Sequence, residues 1–352
     1  MLDLNLFREI LSIDSTSGQE QELMEFLREK MAGQAGPDVI PGLTGNPAHL
    51  LLSWGAPRVV FCTHIDTVPP CIPPTFHRED GTPCPPEEAA VVRGRGTCDA
   101  KGQLLSLLTA CRELAAEGQS GFGLLIVTGE ETGSFGAKDF AKTPFRAPYL
   151  IIGEPTENKM ISASKGTKSY DLRFRGEAFH SGYPEYGVSA VDLFNDFCNR
   201  LRAHDFGTDP LLGKTTWNVG LLRSDNPQNI LSPELTCRLY FRTTFVSDRA
   251  VEDWMAGQGG TVIPGPTGNL TVTPRGGDTP AHYMTLPGFE TTPASFGSDA
   301  PHLTNFTHKI ICGPGSIRYA HRDDEHILVR DIEIAVEQYK KMFRKIQSIT
   351  DQ

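Results

Sequence analysis

Four short apolar runs, spread along the chain, each lead into residues that carry protons or bind metals. Residues 59–62, 124–127, 149–152 and 308–311 are rich in Val, Ile, Leu and aromatic side chains. They are followed by His64 and Asp66, by Glu130 and Glu131, by Glu154 and, past a glycine-rich loop, by His321. Runs of this length and make-up read as buried strands, whereas residues 103–117, stopped by Gly118, have helical length. Strands alternating with helices predict an α/β open sheet with its site at the carboxyl edge of the strands. A carboxylate at the end of an apolar strand is costly unless a positive charge faces it, so the repetition points to one shared site.

Each member of the pattern has an ordinary reading of its own. His64 and Asp66, two residues apart at a strand end, project to the same side, which suits a metal ligand and a carboxylate that fixes its tautomer. Asp99 lies in RGRGTCDAKGQ at the entry to the 103–117 helix, where it could cap the helix or bridge two cations. Glu130 and Glu131 could be solvated loop acids. Gly94-x-Gly96 has neither the third glycine of a dinucleotide loop nor a Walker lysine-serine pair, so a nucleotide site is not expected.

At 352 residues the chain exceeds a usual single core, and two domains are expected. A formal net charge of −10 argues against nucleic-acid binding. No apolar run is long enough to span a membrane, and the acidic start MLDLNLFREIL lacks a basic n-region, so a cytoplasmic protein without a membrane partner is expected. Eight scattered cysteines, with no CxxC pair, read as reduced thiols.

Taken in order, Ser17 to Glu20 forms a capping-box pattern ahead of an amphipathic helix over 18–32. Residues 49–54 and 59–62 read as neighbouring strands joined by the Gly55-Ala56-Pro57 turn. Between about 165 and 275 the character changes. Strands at 169–175 and 235–245 alternate partially, and helices are expected at 187–203 and 247–256.

THIDTVP, GRGTCDAKG, TGEETGS, GEPT and AHRDDE resemble, in order and spacing, the motifs of the M20 family of metallopeptidases and deacylases. The resemblance covers essentially the whole chain. It implies a mixed-sheet α/β zinc-peptidase domain built from residues 1–164 and 277–352, with an inserted α/β lid at 165–276 through which subunits form a homodimer. It implies two zinc ions per subunit, cobalt or manganese being possible. His64 and Glu154 would hold one, Glu131 and His321 the other, with Asp99 bridging and a cis peptide at Asp99-Ala100. Asp66 would orient His64, and Glu130 would be the general base for water activated between the ions. His180, in FHS where the family usually has AHS, would stabilise the oxyanion from the lid. Asn229, Arg242, Gly297 and Ser298 match positions that line the substrate pocket and bind its carboxylate, the ordinary alternative for Arg242 being a cross-strand ion pair. Cys98 stands where many relatives carry a small or apolar residue. Glu154 in GEPT, where di- and tripeptidase relatives usually have aspartate, favours removal of an acetyl group from N-acetylornithine or N-acetyl-lysine, the former a step of arginine biosynthesis. A metallo-dipeptidase, carboxypeptidase or aminoacylase is the alternative.

Overall fold

The computed structural model describes residues 2–31, 36–40, 49–258 and 269–349. The chain forms two compact units, one made of residues 1–162, 283–292 and 298–352, the other of 163–282 and 293–297.

The first unit is built on a six-stranded mixed sheet, ordered Gly36–Ile40, His49–Trp54, Phe122–Val127, Val59–His64, Ala147–Ile152, Phe306–Ile311. Val59–His64 and Phe122–Val127 are buried along their whole length, as expected of strands covered on both faces. These two run parallel, with His64 opposite Val127, and Ala147–Ile152 lies parallel on the other side, with Cys62 opposite Ile152. The three strands therefore deliver His64, the Glu130-Glu131 turn and Glu154 to the same edge. The expected pairing of 49–54 with 59–62 is not made: Phe122–Val127 lies between them, antiparallel to the first. Val59–His64 is instead flanked by parallel strands on both sides, inside the sheet.

Helices Lys101–Ala116 and Val329–Gln347 contribute to the core, where Phe122 packs edge-on against Phe61 and Phe343, and Phe61 against Tyr339. Lys101–Ala116 is buried on nearly every side, and even the Lys101 ammonium is internal, donating to the carbonyls of Ile10 and Ile13. Helix Gln21–Met31 starts three residues later than expected, and Ala32 lies outside the described residues. The capping box is not formed, because the Ser17 hydroxyl donates to Asp66 instead, at 2.8 Å.

The second unit is a four-stranded antiparallel sheet ordered Thr216–Arg223, Glu234–Thr243, Gly166–Arg175, Asn269–Gly276. Glu234–Thr243 alternates strictly, with Leu235, Cys237, Leu239 and Phe241 buried, the pattern of a sheet covered on one face. Helices Ala190–Ala203 and Asp248–Ala256 supply Phe197, Leu201, Val251 and Met255 to that core. Ser189 caps the former by accepting from the Asp192 amide, so the helix starts at 190 rather than at the expected 187, where extended backbone follows a 3-10 turn, Pro184–Tyr186.

Candidate metal centre

Asp99 does not cap its helix. The N-cap position is Ala100, after a cis Asp99-Ala100 peptide, and no side chain caps the helix there. The Asp99 carboxylate faces two imidazoles instead: Oδ1 lies 3.1 Å from His64 Nε2, and Oδ2 lies 3.4 Å from His321 Nε2. His321 Nε2 is also 2.8 Å from Glu131 Oε1. Two overlapping donor sets result, His64-Asp99-Glu154 and Asp99-Glu131-His321, with ligand atoms in each set within 4.8 Å of one another. One carboxylate shared between two sets, each completed by an imidazole and a glutamate, matches what a pair of borderline cations requires.

The supports differ in rigidity. His64 and Glu154 are buried at strand ends, whereas the His321 side chain is about half exposed on a residue at φ 65°. Asp66 does more than orient His64, whose Nδ1 lies 3.3 Å from Asp66 Oδ1. The same carboxylate accepts from the backbone amides of Glu130 at 3.0 Å and Glu131 at 3.1 Å. One side chain thereby holds the first imidazole and the glutamate turn in register.

Electrostatics test whether cations suit these residues. Burial raises the Glu130 carboxyl well above the usual range, repulsion from Asp299, Glu131 and Asp99 adds to this, and His64 partly offsets it. Glu154 is raised well above its usual range for the same reasons, burial first, then Asp99, Glu130 and Asp299. Burial would lower His64, but its contacts with Asp66 and Asp99 outweigh that and raise it well above its usual value. His321 is pushed up to about 10 by hydrogen bonds to Asp99 and then to Glu131. The cluster thus holds its acids together with protons on the imidazoles. Divalent cations would meet the same negative field with the ligands' lone pairs, so the residues fit them.

Sequence reasoning passed over Asp299 as an acid, naming only the loop it sits in. Its carboxyl is buried and raised to about 6 by burial and by Asp66, with His64 and Ser134 opposing, and its Oδ1 has no hydrogen-bond partner. Its neighbour Ser298, a candidate pocket residue, is buried and accepts from the Ala300 amide.

The remaining candidates belong to the second unit. His180 is exposed, its Nδ1 accepting from the Gly182 amide at 3.0 Å and its ring 5.8 Å from that of Tyr183. Asn229 lies beside it, its carbonyl accepting from the Ser181 amide. Arg242 forms no ion pair among the described residues; it stacks on Tyr240 at 5.1 Å. A side chain at Gly297 would come within 3.8 Å of the Arg242 guanidinium. Lys165, which the sequence reading missed, is buried, donates to the Lys214 carbonyl, and is lowered by burial and then by the charge of Arg242.

Residues 60–345 match the profile of Peptidase family M20/M25/M40. The chain is a member of the M20 family. It is 30% identical over 356 residues to a peptidase M20 domain-containing protein of Schizosaccharomyces pombe, covering 96% of this chain and 83% of that one. A probable carboxypeptidase of Aspergillus fumigatus is 29% identical over 389 residues, covering 97% of this chain and 86% of that protein. In fold it is similar to a tripeptidase of Staphylococcus aureus, with a TM-score of 0.75 at 18% identity, over 98% of this chain and 99% of that one. This M20 protein is therefore a metal-dependent amidohydrolase with the mixed α/β architecture of its family, whose members typically bind two metal ions. The relatives favour the peptidase alternative over acetyl removal. Among the described residues, no helix is long and apolar enough to cross a membrane.

Proposed function

We propose that this M20 protein is a two-metal exopeptidase, a carboxypeptidase or dipeptidase that hydrolyses the amide bond next to a free α-carboxylate. What supports this reading is that Arg242 forms no ion pair among the described residues and that its charge, after burial, lowers the nearby Lys165 ammonium, a repulsion an incoming carboxylate would relieve. A relative named as a probable carboxypeptidase supports it. Glu154, the ground for expecting acetyl removal, falls in a metal-type donor set with His64 and Asp99, so neither acetyl specificity nor a step of arginine biosynthesis follows from it.

Zinc is the proposed metal, with cobalt or manganese as substitutes; His64, Asp99 and Glu154 would hold one ion and Asp99, Glu131 and His321 the other. When bound, the pair would polarise the scissile carbonyl and acidify water. Glu130, whose carboxyl burial holds well above the usual carboxylate range, takes the proton of the attacking water and passes it to the leaving nitrogen. Asp66 keeps Glu130 in place through its amide while holding His64.

A panel of dipeptides, tripeptides, their C-terminal amides and N-acetyl amino acids tests the reading. Cleavage of the free acids, with kcat/KM lower for the amides by tenfold or more, is expected; acetate release from N-acetylornithine with no peptide cleavage would overturn it. Arg242→Ala should raise KM for the free acids and leave the amides unaffected.

His180 is proposed as an oxyanion donor and the second unit as the homodimer contact, because Thr216–Arg223 is a sheet edge that exposes Leu221 and Leu222. His180→Ala should lower kcat roughly a hundredfold with metal content unchanged, the scale for losing one such donor. Wild-type turnover by this variant would remove the role. Sedimentation velocity should find a dimer, and a monomer at micromolar concentration would exclude that contact. Eight free thiols suit the cytoplasm, where we place the protein.

A further inference from the structure

We infer that the buried ion pair between Arg95 and Glu325 is a positioning device for the second metal ion, an inference that rests on the two-ion reading above. Neither residue belongs to a donor set. Arg95 Nη1 lies 2.6 Å from Glu325 Oε2, and both side chains are almost wholly inaccessible.

What the pair does with its remaining bonds sets it apart from a generic core ion pair. Glu325 Oε1 accepts from the backbone amides of Cys98 at 3.0 Å and Asp99 at 3.2 Å, so it fixes the segment that carries the shared carboxylate. Arg95 Nη1 also donates to the carbonyl of Arg322 at 3.1 Å, the residue next to His321. Its Nε reaches the carbonyl of Pro70 at 3.2 Å. Each half of the pair therefore grips the backbone beside one member of the Asp99-Glu131-His321 set. The Glu325 carbonyl in turn accepts from the Gly94 amide, which closes the loop between the two segments.

The two metal sets depend on this grip unequally. His64 and Glu154 come from the ends of central strands, whose positions the sheet fixes. His321 sits on a loop residue at positive φ with a half-exposed side chain, held by its backbone and by the contacts of its ring with Glu131 and Asp99 rather than by a strand. Because Asp99 serves both sets, loosening the Arg95–Glu325 pair should weaken the second ion strongly and the first, anchored by the sheet through His64 and Glu154, only slightly. Partners of this kind, one bond removed from the ligands, typically contribute 10–100-fold to metal affinity.

Three variants make the test. Arg95→Lys keeps a cation against Glu325 but lacks the forked geometry needed to reach Arg322 as well. Glu325→Gln keeps an amide acceptor and loses the charge. The double variant Arg95→Met/Glu325→Gln leaves no unpaired buried charge, which protects the fold. Each would be stripped of metal, checked by circular dichroism, and titrated with Co2+ while the visible absorption and the calorimetric isotherm are followed. The expected result is two equivalents bound by wild type, and in the variants a first equivalent within about threefold of wild type with a second weakened 10–100-fold. Equal weakening of both equivalents, or a second equivalent bound as in wild type, overturns the inference and leaves the pair a structural one. Fewer than two equivalents in the wild-type protein would instead sink the two-ion reading.

Discussion

Glu130→Gln should bind two metal ions as tightly as wild type and lose turnover by about two to four orders of magnitude, the contribution of a positioned proton-transfer group. Glu131→Gln should do the reverse, lowering occupancy of the second site before it affects chemistry. The adjacent residues are expected to part in this way because the structure gives them different company. Glu131 touches His321, itself within reach of Asp99, whereas Glu130 belongs to neither donor set. Its carboxyl is held well up by burial and by the acids around it, which leaves it suited to carry a proton. Both backbone amides are tied to Asp66, so an amide side chain at either position should not move the turn. Metal analysis alongside kcat and kcat/KM would separate the two. Equal loss of metal from both variants would show that the base and the ligand had been assigned wrongly.

Much of this arrangement is legible in the chain because the elements that build it are short and locally encoded. An apolar run ending in His64, or in Glu154, needs only its own composition to read as a strand with a functional end, and the sheet confirms both ends on one edge. What the sequence conceals is decided by tertiary competition. Residues 49–54 and 59–62 carry a turn between them and pair with the same third strand instead, which leaves Val59–His64 inside the sheet with a parallel strand on either side. Ser17 has the spacing of a helix cap, yet its hydroxyl goes to Asp66, where a buried carboxylate in need of donors is a stronger partner than a backbone amide. Lys165, Arg95 and Glu325 carry no signal of function by type. The last two do stand inside the motifs RGRGTCD and HRDDE, within a few residues of Asp99 and His321, and a charged pair so placed was the available clue.

Removing the metal should abolish activity, and restoring it should depend steeply on pH. Without cations, His321 holds its proton up to about pH 10 because Asp99 and Glu131 face it, and Glu154 is raised well above its ordinary range by burial and neighbouring acids. Both must be deprotonated to bind a metal, so an ion entering the site displaces protons. The sign follows directly: affinity rises with pH, by about one decade per unit for each proton displaced, and falls towards acid. The same raised His321 contributes to the stability of the metal-free protein below its unfolded value near 6.5, and that contribution fades as pH climbs through about 10. Because its side chain is about half exposed, the effect is modest, but its direction adds to the metal's own. The difference in Tm between loaded and stripped protein should therefore widen from pH 6 to pH 9. Calorimetric titration of stripped protein with Zn2+, in two buffers of different ionisation enthalpy, would count the released protons. Uptake without proton release over that range would mean that the imidazoles and Glu154 are already free of protons, and that the field described for this cluster is not the one the metal meets.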